Sequence, residues 1–119
     1  MDIKDILTKI HEDIKNQRKR LLYMKQKIEE QQEILKIWEL EQITDIADAV
    51  NENGKPLYSN ETKRAAELER RKREDPKYQE MLRELKSAKF EYDLGVIILQ
   101  SMLDEQENAR ALARIEGVA

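Results

Sequence analysis

The sequence predicts an all-α protein: a long antiparallel coiled-coil hairpin that self-associates into a four-helix or larger bundle. Helix breakers are rare, since the 119 residues include 3 Gly and 2 Pro, and Gly54 and Pro56 lie together in a polar segment near the middle. The stretches on either side are rich in Leu, Ile, Glu, Lys, Gln, Arg and Ala, which favour helices. Their apolar residues recur at heptad spacing, which is typical of coiled coils. We therefore treat residues 1–119 as a single helical-hairpin domain.

The first helix is predicted over residues 2–50, with Asp2 as its N-cap. A heptad seam runs along most of its length, through Ile3, Leu7, Ile10, Ile14, Gln17, Leu21, Met24, Ile28, Gln31, Leu35 and Trp38. After Trp38 the apolar frame shifts, and such a shift locally unwinds a left-handed supercoil. We expect the buried stripe to continue through Leu40, Ile43, Ala47 and Val50.

The turn of the hairpin is predicted over residues 51–59. The dipeptide Asn53-Gly54 favours positive φ, and Pro56 prevents a helix from continuing through the preceding turn. The chain can therefore reverse direction here.

Two further helices are predicted over residues 60–74 and 76–115. Ser59 or Asn60 caps the first of them, while Asp75 and Pro76 are typical of the N-cap and first helical position of the second. A single helix kinked at Pro76 fits the sequence equally well. The seam of the last helix runs through Tyr78, Met81, Leu85, Ala88, Tyr92, Gly95, Leu99, Met102, Gln106, Ala109 and Ala113.

Charge patterning supports the antiparallel arrangement. Residues 29–52 contain eight acids and one base, whereas residues 63–73 contain six bases and two acids. Folding back at the turn brings these segments together, so we expect ion pairs between them. Exposed ion pairs contribute little energy, but a wrong register would oppose like charges.

Apolar residues surround the last helix between Leu94 and Leu99, and a two-helix hairpin cannot cover them on every side. We expect this end of the hairpin to pack against a second copy. The residues predicted for that oligomer interface are Leu94, Val96, Ile97, Ile98, Leu99, Met102, Leu103, Ile3, Ile6 and Ile10.

Composition argues against catalysis. The chain has no Cys and one His, His11, and it has neither a glycine-rich phosphate loop nor a Glu-x-x-His metal motif. We predict a protein that is not an enzyme and that has no catalytic, cofactor or metal residues. Apolar runs are too short to cross a bilayer and the N-terminus does not resemble a signal peptide, so we predict a cytoplasmic protein.

A basic stretch in the first helix can be interpreted in two ways. It contains no acid, and its bases are Lys15, Arg18, Lys19, Arg20, Lys25 and Lys27. Such a stretch can lie along nucleic-acid phosphates. Alternatively, it forms salt bridges with acids of the other arm, namely Glu80, Glu84, Glu91 and Asp93. The net charge of −3 counts against strong nonspecific binding to a polyanion.

Leu57 and Tyr58 follow the turn and also allow two interpretations. A loop aromatic can anchor a partner protein. Alternatively, the two residues form a hydrophobic staple against the second helix.

Two segments carry a resemblance to known proteins: Asn53-Gly54-Lys55-Pro56-Leu57-Tyr58-Ser59-Asn60-Glu61 and Asp75-Pro76-Lys77-Tyr78-Gln79. Over roughly residues 51–90 the chain resembles small uncharacterised helical-hairpin proteins of bacterial phages and other mobile elements. The resemblance implies a helical hairpin of mobile-element origin, with a host or phage protein as partner, in DNA maintenance or in defence and counter-defence. It implies no catalytic or binding residues.

From these observations we expect a homo-oligomeric scaffold or inhibitor that acts by protein–protein contact. The principal alternative is a nucleic-acid-binding accessory protein that uses Lys15–Lys27. A prefoldin-like holdase would share the hairpin shape, although nothing in the sequence marks client-binding tips.

Overall fold

The structure, a computed structural model, describes residues 2–117. These residues form an all-α helical hairpin of three helices: α1 (Ile3–Asp48), α2 (Glu61–Glu74) and α3 (Pro76–Ile115). The predicted fold class is therefore confirmed at the level of a helical hairpin. No helix within the described range combines the length and the apolarity that crossing a membrane requires.

The N-cap predicted for α1 is present. The Asp5 backbone N–H donates to Oδ1 of Asp2 at 2.9 Å, which satisfies an amide that has no partner within the helix. The helix ends at Asp48, two residues before the predicted end at residue 50, because Val50 leaves the helix and pairs with Pro56 in an isolated β-bridge.

Residues 49–60 reverse the chain through a tight loop. The side chain of Asn51 organises it, because Oδ1 accepts from the backbone N–H groups of both Asn53 and Lys55. Gly54 has φ +74, the left-handed conformation that its place after Asn53 predicted.

Helices α2 and α3 each begin at a polar cap. Asn60, rather than Ser59, caps α2 by accepting from the Lys63 N–H at 2.9 Å. Asp75 has extended backbone angles (φ −81, ψ 110), and its Oδ1 accepts from the N–H groups of Lys77 and Tyr78. The chain therefore has two helices at this point and not one kinked helix.

The predicted seams match the burial pattern over most of their length. In α3 every seam position from Tyr78 to Ala113 is buried or half-buried. In α1 the same holds from Ile3 to Trp38.

Beyond Trp38 the predicted stripe is wrong. Leu40, Ile43 and Val50 are exposed, as is Ala47, whereas Ile46 is 2% exposed. The buried line advances from Trp38 in steps of four, four and three residues, through Gln42, Ile46 and Ala49. The prediction followed the apolar residues, but in this part of α1 several of them lie on the outer side.

The chain divides into two compact units, which we call the terminal unit (residues 2–27 and 88–117) and the turn unit (Ile28–Ser87). In the terminal unit Ile3 packs with two small residues of α3, Ala109 and Ala113. In the turn unit Leu35 packs with Tyr78 and Leu85. The ring centroids of Trp38 and Tyr78 are 4.4 Å apart in the same cluster.

Candidate interaction surfaces

The exposed apolar face of α3 is the first candidate surface. Phe90, Leu94, Ile97 and Ile98 lie at i, i+4, i+7 and i+8, so they share one side of the helix. Phe90 is 65% exposed and Ile97 61%. We call these four residues the α3 apolar face. Phe90 was missed by the sequence analysis, although its spacing from Leu94 and Ile97 signals the shared side.

The residues predicted for the oligomer interface fall into three groups in the structure. Leu94, Ile97 and Ile98 are exposed, as is Val96, and they are available to another molecule. Ile3 lies in the core of the terminal unit, because Ala109 and Ala113 leave room for it, so its assignment to an interface is corrected. The rest are half-buried or, for Ile6, at the edge of exposure: Ile6, Ile10, Leu99, Met102 and Leu103.

A groove of about 270 Å³ borders the α3 apolar face, and it is lined by Gln17, Arg20, Met24, Glu91, Leu94, Gly95 and Ile98. Its floor is a close helix contact, since Nε2 of Gln17 donates to the carbonyl oxygen of Gly95 at 2.9 Å. A methyl group on Gly95 would lie 2.7 Å from Cδ2 of Leu21. The absent side chain at Gly95 therefore allows α1 and α3 to approach here.

The basic stretch of α1 is solvent-exposed at each of its bases, which are Lys15, Arg18, Lys19, Arg20, Lys25 and Lys27. Among residues 2–117 none of them forms an ion pair, so the structure does not contain the predicted salt bridges to Glu91 and Asp93, or those to Glu80 and Glu84. The other predicted ion pairing, between the acidic and basic segments of the turn unit, is present. Nη1 of Arg71 lies 2.7 Å from Oδ2 of Asp45, and Nζ of Lys72 lies 3.1 Å from Oε1 of Glu39.

Glu67 is the centre of a charged cluster in the turn unit. Its carboxylate accepts from Nε of Arg70 and from Nε of Arg71, each at 2.9 Å. These hydrogen bonds from Arg70 and Arg71 lower the pKa of Glu67 to about 2, and the pKa values of both arginines are raised in turn. Burial by itself would lower the pKa of Lys72, but its hydrogen bond and ion pair with Glu39 outweigh that effect, and the pKa is raised.

Tyr58 belongs to the same cluster. Its side chain is half-buried, and it is a minor contributor to the low pKa of Glu67 and the high pKa of Arg71. Leu57 beside it is half-exposed. Leu57 is therefore the more accessible of the two side chains.

The outer side of α1 in the turn unit carries a shallow groove of about 500 Å³, lined by Ile37, Leu40, Glu41, Thr44, Asp45 and Asp48. Its apolar floor and acidic rim come from one helix. Within residues 2–117 no three His, Asp or Glu side chains are grouped closely enough to hold a metal ion.

Comparison with known proteins found no matching family, no similar curated protein and no similar solved structure.

Proposed function

We propose that this chain is a non-enzymatic interaction protein that works as a homo-oligomer through protein–protein contact. The observation that carries the proposal is the α3 apolar face, where Phe90, Leu94, Ile97 and Ile98 are exposed together on one side of a helix. Large contiguous apolar patches on a protein surface mark interaction sites.

The energetics support a second copy as the occupant of this face. Burying a fully exposed large apolar side chain contributes about 1.5–3 kcal/mol, and because these four are 43–65% exposed, each would gain about half of that. An interface between two copies contains each side chain twice, so the sum is of the same order as the entropy lost on association, about 4–15 kcal/mol. Two hairpins joined in this way form a four-helix bundle.

The oligomer would act in the cytoplasm as a scaffold or inhibitor for another protein. The resemblance of residues 51–90 to phage-encoded helical hairpins adds a setting to the proposal, namely DNA maintenance or defence and counter-defence. That setting stays a prediction.

Sedimentation at micromolar concentration tests the proposal. The wild-type chain is expected to sediment as a dimer or larger, and Ile97→Glu is expected to dissociate it while its helical circular dichroism is retained. Helicity should survive because Ile97 is largely exposed within one chain. A wild-type monomer, or an Ile97→Glu variant of unchanged mass, would contradict the proposal.

Ile115→Glu is the matched control, because it makes the same chemical change at a position that is 82% exposed, at the C-terminal end of α3. Its mass is expected to equal that of the wild type.

The exposed basic stretch favours a second candidate function, nucleic-acid binding. Its bases are free of ion pairs among the described residues, so they are available to phosphates. The terminal unit carries 11 bases and 10 acids, a net charge of +1, whereas the turn unit carries 11 bases and 15 acids, a net charge of −4. The positive field that would attract a polyanion is therefore local to residues 15–27.

Binding of duplex and single-stranded nucleic acid at several salt concentrations tests this candidate. Phosphate contacts predict affinity that falls steeply with salt, and further in the variant with Arg18, Lys19 and Arg20 replaced by Gln. We expect little binding at physiological salt. Submicromolar, salt-sensitive affinity that the triple variant loses would make nucleic-acid binding the leading function.

A further inference from the structure

A shallow apolar groove runs along the outer side of α1 in the turn unit. It has a volume of about 500 Å³, and all of its lining residues belong to α1, namely Ile37, Leu40, Glu41, Thr44, Asp45 and Asp48. Ile37, Leu40 and Thr44 lie at i, i+3 and i+7, so they share one side of the helix and form the floor. Ile37 is 48% exposed and Leu40 53% exposed, so the floor is accessible to another molecule.

The rim of this groove is acidic, and most of its charge is not neutralised. Glu41 and Asp48 form no ion pair among the described residues, and the side chain of Asp45 remains 70% exposed although it pairs with Arg71. The surrounding helix has the same sign, because residues 29–48 contain seven acids and one base. A ligand in the groove therefore meets negative charge beside an apolar surface.

These two properties together select one class of ligand. The acids repel nucleic acids and anionic lipid surfaces, whereas they attract Lys and Arg side chains. The floor favours a ligand with apolar side chains, because covering Ile37 and Leu40 removes apolar surface from water. An amphipathic helix with apolar residues along one side and Lys or Arg beside them meets both requirements.

The length of the groove suits such a helix. From Ile37 to Asp48 it extends about 16 Å, at about 1.5 Å per residue, so a helix lying along it makes contact over about three turns. Three turns contain enough positions for an apolar side facing the floor and for bases on both of its edges.

We propose that this groove, which we call the acidic groove, binds a basic amphipathic helix of a partner protein. Apolar side chains of that helix lie on Ile37 and Leu40, and its Lys or Arg residues lie beside Glu41 and Asp48. The inference rests on the proposed function, because it takes the chain to act on another protein, and it names the chemistry of that partner. The α3 apolar face and the acidic groove share no residue, so they take different ligands: a second copy and a basic helix.

Fluorescence anisotropy with a labelled synthetic peptide tests the ligand class. The probe is a helix of about 18 residues, or about five turns, with Leu along one side and Lys elsewhere. One comparison peptide has the same composition in scrambled order, and the other has Glu in place of Lys. The amphipathic basic peptide is expected to bind at least about tenfold more tightly than either. Equal binding of the scrambled peptide would overturn the proposal, because charge alone would then explain the affinity.

Two pairs of variants place the peptide on the groove. Leu40→Gln changes the floor, and its control is Ile43→Gln, a side chain that is 45% exposed on the same helix outside the groove. Glu41→Lys/Asp48→Lys reverses the rim, and its control is Glu12→Lys/Asp13→Lys, which changes the net charge equally in the terminal unit. The groove variants are expected to lose affinity about tenfold and the controls about twofold or less. Equal losses in variants and controls would overturn the proposal.

Sedimentation of the same variants separates this inference from the proposed function. Glu41→Lys/Asp48→Lys is expected to keep the mass of the wild type. A lower mass would make a second copy the occupant of the groove and overturn the proposal. Ile97→Glu is expected to bind the peptide as tightly as the wild type does. A wild-type monomer that binds the peptide would contradict the proposed oligomer and support the acidic groove, whereas an oligomer that does not bind it would do the reverse.

Discussion

The terminal unit and the turn unit hold their helices together by different means. Seven of the eight ion pairs found among residues 2–117 lie in the turn unit, and two of them join α1 to α2. The ion pair of the terminal unit, Arg114–Glu107, lies within α3. There the helices meet through small residues and through the hydrogen bond from Gln17 to Gly95.

This difference explains which charged and apolar side chains remain exposed on each unit. In the turn unit Arg71 and Lys72 of α2 form ion pairs with Asp45 and Glu39 of α1, and an aromatic pair packs in the seam. In the terminal unit close backbone approach needs no charge pairing, so the bases of residues 15–27 and the α3 apolar face remain available. We therefore expect the terminal unit to respond to steric changes and the turn unit to changes of pH and salt.

The largest effect is expected from Trp38→Ala in the turn unit. It removes the ring that packs on Tyr78, and the loss of a large aromatic from a partly buried site should cost about 3 kcal/mol. Urea denaturation followed by circular dichroism measures the change. Trp38→Phe is the control, because it retains a ring and should lose less than half as much. Equal losses in the two variants would show that the ring contact does not stabilise the unit.

Gly95→Val tests close packing in the terminal unit. Its side chain would meet Leu21, so overpacking should cost about 2 kcal/mol despite the better helix propensity of valine. The same substitution in a Leu21→Ala background is expected to cost less, because the shorter side chain leaves room for it. Additive effects of the two substitutions would contradict a direct contact.

A smaller effect is expected at Gly54, where no atom lies within 4 Å of an added Cβ but φ is +74. Gly54→Val should destabilise the hairpin by about 1 kcal/mol, the cost of the left-handed conformation for a residue with a side chain. Gly54→Asn should cost less, because asparagine tolerates that conformation. Thermal unfolding compares the two, and identical melting temperatures would mean that conformation does not limit this site.

Acid is expected to weaken the turn unit through Glu67. Its pKa is lowered from an ordinary value of 4.5 to about 2 in the folded chain, chiefly by the hydrogen bonds from Arg70 and Arg71, so its ionised form favours folding. That contribution is fully present above about pH 4.5 and is lost as the pH falls towards 2. Glu67→Gln should therefore lower the melting temperature at pH 7 and have little effect near pH 2. Glu107→Gln in the terminal unit is the matched control. A difference between wild type and Glu67→Gln that does not change with pH would contradict the assignment.

The sequence by itself determined the helical segments and most of their ends, because local chemistry decides them, but it left open whether residues 60–115 form two helices or one kinked helix. Asp2, Asn60 and Asp75 cap helices with their own side chains, Gly54 supplies positive φ, and heptad spacing marks the seams from Ile3 to Trp38 and from Tyr78 to Ala113. Each of these signals depends on residues within about one turn of the helix or along one repeating pattern.

Tertiary structure decided which apolar and charged residues remain on the surface. Leu40 and Ile46 are both apolar and lie six residues apart, yet only Ile46 is buried, so composition cannot separate them. Gln17 and Gln31 occupy equivalent seam positions, but Gln17 finds the carbonyl of Gly95, while Oε1 of Gln31 has no hydrogen-bond partner among the described residues. The sequence also could not show whether the lysines of the basic stretch form ion pairs. Ion pairing depends on the distance between helices and not on the charges of the segment. Burial and ion pairing depend on how two helix surfaces meet. The residue pattern along one helix does not show that.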